Sequence, residues 1–257
     1  MTLPANTARV AGIFYGEIKL FAKFRALLFM AIFFTLTFPI AMSAIIGTLF
    51  DSTGRLYASH ARFWGRLGLR MAGVRVEISG EENLPDAPVI VMSNHASNFD
   101  ILALLGFFPR QLSWIAKKEL FSIPVFGPSM RRGGYIPLDR GDGRKALKSM
   151  EEAVGQIKGG KSVIIFPEGT RTRDGNLLPF KRGGFLLAAK AGVPVVPVSI
   201  RGSFAVNPGG EIKLYSGSIS IRILPTVEIP GGMKRAAAED FLMDRVKTSI
   251  QSGMEVK

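Results

Sequence analysis

Val89–Ile90–Val91–Met92–Ser93–Asn94–His95–Ala96–Ser97–Asn98–Phe99–Asp100 is the stretch on which the reading of this chain turns. Val89–Met92 is a short apolar run with the pattern of a buried strand, and Ile101–Phe108 beyond it reads as an apolar helix. Ser93–Asp100 is therefore a strand-to-helix turn. It carries His95, one of two histidines in the chain. Imidazole titrates near neutral pH, so at the C-terminal end of a parallel strand His95 is a candidate to take a proton from a substrate hydroxyl. A regular helix would separate Asp100 from His95 around its axis, whereas a turn leading into a first helical turn brings the two together. The same residues also fit a structural role, with Ser97 as N-cap and the Asp100 charge favouring the helix dipole. Spacing alone leaves both readings open.

Outward from this turn, strands alternate with helices. Val74–Ser79, Leu112–Ala116, Gly134–Leu138, Ser162–Phe166, Val193–Ile200, Ile219–Leu224 and Val227–Ile229 read as strands, with Pro137 placing its strand near an end or edge. Gly143–Ile157, Gly183–Ala191 and Lys234–Ile250 read as helices, and Leu120–Arg131, with Pro124, Gly127 and Pro128, as a loop with a broken helix. This order predicts an α/β fold with a layered, mostly parallel central sheet flanked by helices, over residues 73–257.

Residues 1–72 have a different character. Residues 1–25 mix Arg9, Lys19, Lys23 and Arg25 with Ile13, Phe14, Ile18, Leu20, Phe21 and Phe24, an interfacial helix by composition. Ala26–Phe50 then runs without a charge. As one helix it reaches ~37 Å, enough to cross a hydrocarbon core of ~30 Å. Pro39 offers the alternative of two shorter helices that dip in and return. A signal peptide would have a shorter apolar core, and a buried core helix of this length is uncommon. Basic residues flank both sides, with Arg55, Arg62, Arg66, Arg70 and Arg75 following. That distribution suits a segment entering and leaving by the cytoplasmic face, integral or deeply embedded through residues 10–50. Asp51–Ala72 reads as a helix leading into the sheet domain.

At 257 residues the chain can bury a substantial core. It has no cysteine, which excludes disulfides, thiolate zinc sites and cysteine nucleophiles, and two separated histidines point away from a histidine-rich metal centre. A net charge of +13 favours an anionic partner: nucleic acid, anionic lipid or an acidic carrier. The uncharged Ala26–Phe50 run argues against nucleic acid, while a non-catalytic lipid-binding or scaffold protein remains an alternative.

A second constellation, Phe166–Pro167–Glu168–Gly169–Thr170–Arg171–Thr172–Arg173–Asp174–Gly175, directly follows the Ser162–Phe166 strand, at the sheet edge where open α/β folds place ligands. Gly169 lets a backbone amide approach an anion, Arg171 and Arg173 can bond phosphate oxygens, and Glu168 can accept from hydroxyls or orient an arginine. A solvated polar turn is the structural alternative. The one GxxxxGK[ST] string, at 155–162, leads from a helix into a strand rather than from a strand into a helix, and no strand-to-helix GxGxxG or GxSxG is present, so nucleotide loops and a serine nucleophile find no support. Lys117, Lys118 and Arg140 end two further strands and are either rim cations or ordinary solvated side chains.

Taken together, Asn94–His95 with Asp100, the block Ala116–Gly127 continuing to Gly134–Arg140, Phe166–Arg171, and Val195–Val198 resemble the glycerolipid acyltransferase family, four blocks in order from about residue 75 to 203. The resemblance implies transfer of a fatty acyl group from acyl-CoA or acyl-carrier protein, acting as donor substrate with no further cofactor. The acceptor would be the free sn-2 hydroxyl of 1-acyl-glycerol-3-phosphate, giving phosphatidic acid, or that of another lyso acceptor such as lyso-ornithine lipid. It makes His95 the general base and Asp100 the group that holds its tautomer. It assigns Lys117, in preference to Lys118, with Arg140, Glu168, Gly169 and Arg171 to the acceptor's phosphate and glycerol. Asn98, where many relatives carry an aromatic, and Thr172, in place of a common serine, bear on acceptor preference.

Overall fold

The apolar strands at the centre of the sheet are buried on both faces, and that requirement builds the molecule. The computed structural model describes residues 5–139, 143–209 and 211–255. Helices α1 (Ala5–Phe50) and α2 (Arg55–Met71) precede β1 (Val74–Ser79), β2 (Ile90–Ser93), α3 (Phe99–Phe107), β3 (Leu112–Lys117), α4 (Phe126–Arg132), β4 (Ile136–Leu138), α5 (Gly143–Lys158) and β5 (Ser162–Ile165). There follow α6 (Arg182–Ala191), β6 (Val195–Arg201), α7 (Ser203–Val206), β7 (Gly217–Ile223) and α8 (Arg235–Glu255). The strands form one sheet in the order β1-β7-β6-β2-β5-β3-β4, in which only the β6–β7 pairing is antiparallel. All four residues of β2, at the sheet's centre, are buried, as parallel strands covered on both faces require.

Alternate strand residues feed two cores. Val89, Val91, Trp114, Ile164, Val198 and Ile200 pack with α1, α2 and α3. Ile90, Met92, Ile136, Val163 and Val195 pack on the other face with Ile157 of α5, Phe185 of α6 and Leu242 and Val246 of α8. The N-terminal helices thus share a core with the sheet: Ala26, Phe33, Leu69 and Ala72 belong to the first cluster.

Two glycines set the closest helix crossing. A Cβ on Gly65 of α2 would lie 2.6 Å from Leu102 O, and one on Gly106 of α3 would lie 3.2 Å from Arg66 Cγ. Across this contact Arg66 Nε donates to Gly106 O at 2.8 Å and Arg62 to Phe108 O at 3.3 Å. Both place positive charge on the negative end of the α3 dipole. The expected β4 is indeed an edge strand.

One alternative is decided and one expectation changes. Pro39 does not divide the N-terminal apolar run, because α1 continues through it as a single helix of 46 residues. The usual cost of an interior proline is ~3 kcal/mol or more. The neighbourhood of Pro39 is fastened from the side: the buried stripe of Phe33, Thr37, Ala41 and Ala44 flanks it, Phe33 stacks on Trp64 with ring centroids 5.0 Å apart, and Trp64 Nε1 donates to Thr37 Oγ1 at 2.8 Å. Val227–Ile229 is not a strand but a single bridge, Val227 exchanging backbone bonds with Val195. Pro225 and Pro230 bracket it and limit its ladder.

Candidate active site

Strands β2 and β5 run parallel with Met92 opposite Ile165, so their C-terminal turns leave the sheet side by side. The β2 turn is pinned first by Asn94. Its amide oxygen accepts from Ile200 N–H, and its Nδ2 donates to Ile200 O, both at 2.8 Å across to β6. Asp100, fully buried in the first turn of α3, accepts three N–H groups on Oδ2: His95 Nδ1 at 2.9 Å, Ala96 N at 2.7 Å and Ser97 N at 2.8 Å. A carboxylate acceptor at Nδ1 puts the imidazole proton there and leaves Nε2 as the basic atom. Among the described residues no hydrogen bond reaches Nε2. Ser97 also caps α3, its Oγ accepting from Phe99 N–H at 3.1 Å. The structural and chemical readings of this turn therefore hold together.

The β5 turn grips the β2 turn. Phe166 stacks on the His95 ring, centroids 3.9 Å apart and planes 10° from parallel. Thr172 N–H donates to His95 O at 3.0 Å, and His95 N–H donates to Glu168 Oε1 at 2.6 Å. Leu178 N–H donates to Glu168 Oε2 at 2.8 Å, so both carboxylate oxygens are engaged and the side chain is buried. Burial raises the Glu168 carboxyl to about 7 against the lowering effect of the Leu178 and His95 N–H bonds, with the Asp100 charge adding to the rise.

Arg171 reaches back toward the histidine turn and donates to Asn98 Oδ1 at 2.7 Å. Gly169 has φ +70°, a conformation that favours glycine, and its N–H closes a turn on Phe166 O at 3.0 Å. Its contribution is thus a backbone bend, since that amide already has a carbonyl partner. A side chain on Gly169 would begin 3.0 Å from Lys181 Nζ, so Lys181 is a cation of this loop. Lys117 lies at the end of β3, two strands from β2 at the same sheet edge, about 10 Å across at ordinary strand spacing. It is exposed, with Glu119 Oε2 at 3.8 Å, whereas Lys118 Nζ bonds Asp139 Oδ2 at 2.7 Å. Arg140 lies outside the described residues.

The structure therefore brings His95, Asp100, Glu168, Gly169 and Arg171 together and sets Lys117 on the same rim. Phe166, Lys181, Asn98 and the tie made by Asn94 were not singled out by the sequence reading for these contacts. Phe166 and Asn94 stand in the sequence only as motif positions, and Lys181 only as the first of a basic pair at the start of α6.

Comparisons with known proteins give the family. A family profile described as Acyltransferase matches residues 75–201. The chain is 33% identical over 247 residues to the chloroplastic 1-acyl-sn-glycerol-3-phosphate acyltransferase of Brassica napus, covering 93% of this chain and 70% of the relative. It is 38% identical over 170 residues to the 1-acyl-sn-glycerol-3-phosphate acyltransferase of Pseudomonas aeruginosa, covering 66% of this chain and 65% of the relative. The crystal structure of the 1-acyl-sn-glycerophosphate acyltransferase of Thermotoga maritima superposes with a TM-score of 0.77 at 28% identity, covering 92% of this chain and 99% of that one.

Proposed function

Given that this chain belongs to the acyltransferase family, we propose that it transfers a fatty acyl group from a thioester donor to the sn-2 hydroxyl of 1-acyl-glycerol-3-phosphate, forming phosphatidic acid. The acceptor hydroxyl gives its proton to His95 Nε2 as its oxygen attacks the thioester carbonyl carbon. The tetrahedral oxyanion collapses, the C–S bond breaks, and the imidazolium returns the proton to the departing thiolate, so that ester and free thiol are formed. Asp100 fixes the ring's tautomer and stabilises the imidazolium without being protonated itself, and the enzyme contributes no covalent nucleophile.

The observation that carries this reading is the His95–Asp100 bond at 2.9 Å beside a loop whose Arg171 is aimed at the same turn through Asn98. Arg171, with Lys181 and Lys117 on the rim, suits an acceptor phosphate through charge-assisted bonds. Acyl-CoA and acyl-carrier protein both present the same thioester to this chemistry. A phosphate-free lyso acceptor such as lyso-ornithine lipid is the competing substrate. Purified wild type and Arg171→Ala, assayed on both acceptors with each donor, distinguish the two: the variant should raise KM for lysophosphatidate about 10-fold or more, the range expected of a lost charged contact, with a smaller effect on the phosphate-free acceptor. A wild type that prefers the phosphate-free acceptor, or a variant with unchanged KM, would overturn the assignment.

The same reading embeds α1 in the cytoplasmic membrane surface. Lys19–Phe50 is one stretch long and apolar enough to cross or embed, with an 18-residue window of mean hydropathy 2.1. Its buried stripe runs from Ala22 to Ala44, about 33 Å along the helix axis. A perpendicular crossing would draw the arginines of α2 into hydrocarbon, at several kcal/mol each, whereas embedding one face leaves them at the headgroups.

A further inference from the structure

His95 is held by one loop at three places. Phe166 stacks on its ring, Thr172 N–H bonds its carbonyl at 3.0 Å, and Glu168 Oε1 takes its N–H at 2.6 Å. Glu168 has a second anchor of its own in Leu178 N–H at 2.8 Å, and 2% of its surface is exposed. A carboxylate so placed joins three segments: the end of β5, the turn after β2, and the run Gly175–Phe180 that leads to α6. A group serving a lipid headgroup from solvent needs an oxygen presented outward. Here each oxygen already accepts from a part-buried backbone N–H, and each of those donors would lose its partner if the carboxylate swung out.

We propose that Glu168 is a positioning residue, which fixes the backbone of His95 so that Nε2 meets the acceptor hydroxyl, rather than a contact for the acceptor's glycerol or phosphate. The proposal rests on the acyl-transfer reading above. Its logic is geometric: one hydrogen bond at the backbone of the base sets where the ring stands, while the bond to Asp100 sets how the ring is turned. A misplacement on the order of 1 Å in such a group costs about 10²-fold in rate.

The test is Glu168→Gln and Glu168→Asp in the full-length, membrane-reconstituted chain. The amide offers one acceptor oxygen where two amide donors converge, and the shorter acid reaches only one of them. Both variants should lower kcat, Glu168→Gln by about 10²-fold, while KM for lysophosphatidate stays within about threefold and the loss is the same with a phosphate-free lyso acceptor. A raised KM with kcat retained, or a loss that depends on the acceptor headgroup, would show a substrate contact and overturn the proposal.

An independent readout does not use turnover. His95 and His60 are the only two histidines, so the rate of diethylpyrocarbonate modification at His95, divided by that at His60, carries its own reference. Release of the His95 backbone should raise this ratio in Glu168→Gln measured below its melting temperature, and an unchanged ratio would contradict the latch. If Glu168→Gln does not fold, Glu168→Asp answers both questions. A wild-type chain that acylates no lyso acceptor at all would refute the acyl-transfer reading instead, and the modification ratio would still report on the latch.

Discussion

Asp100 concentrates three N–H donors on one oxygen and leaves Oδ1, also buried, without a partner. That asymmetry suits a group that orients an imidazole, since every donor fixes the same atom. Asp100→Asn should therefore cost kcat about 10²–10⁴-fold, the worth of a working general base, with the fold retained by circular dichroism. The second residue-scale prediction concerns Glu168. Its carboxyl, raised from an ordinary 4.5 to about 7, binds a proton more tightly in the folded chain than in the unfolded one. Its contribution to stability is thus full below about pH 4.5 and is lost as pH rises through about 7. The melting temperature of the wild type minus that of Glu168→Gln should fall between about pH 5 and pH 8, and a difference that does not change with pH would contradict the assignment. His95 and Asp100 were legible in the sequence because five residues of local chain decide whether they meet. The inward turn of Glu168 and the stacking of Phe166 were not, since both depend on β2 lying beside β5, which brings together residues 73 apart.

Among the elements, the α2–α3 crossing is a contact sensitive to a single methyl group. Gly65→Ala would press a Cβ to 2.6 Å from Leu102 O, so the helices must separate. Overpacking of this kind costs about 1–3 kcal/mol, and a chemical denaturation series should read a loss in that range; an unchanged midpoint would mean the helices yield without cost. The strands on either side of the site are readable as short apolar runs ended by turn residues, and the α/β class follows from their alternation with helices, while their order in the sheet depends on long-range pairing. Pro39 leaves one helix or two open in the sequence. A proline weighs the local chain toward a break, but α2 lies along α1 and its Trp64 ties down Thr37, two residues before the proline, a contact with no local trace in the sequence. Val227–Ile229 falls short of its expectation, since its β-branched residues suit a strand while the flanking prolines shorten the ladder to one bridge.

For the whole molecule, charge and apolar surface act together. Net +13 and the exposed Leu20, Phe21, Phe24, Leu27 and Leu28 of α1 fit a surface that enters anionic lipid. Phe24→Glu combined with Leu28→Glu removes two apolar side chains worth ~1.5–3 kcal/mol each on burial, so binding to anionic vesicles should weaken at least about 10²-fold while the melting temperature holds. Retained binding in a flotation assay would show that α1 is not the embedding face. Composition disclosed this surface early, but which side of α1 faces the sheet emerged only from packing. On the proposed function, everything at the larger scale serves one proton transfer at the sheet edge. Its most direct measurement is labelled acyl transfer to lysophosphatidate by wild type and His95→Ala in matched membranes. The account predicts a loss of about 10²–10⁴-fold in kcat with membrane binding unchanged, and near-wild-type turnover by His95→Ala would contradict it.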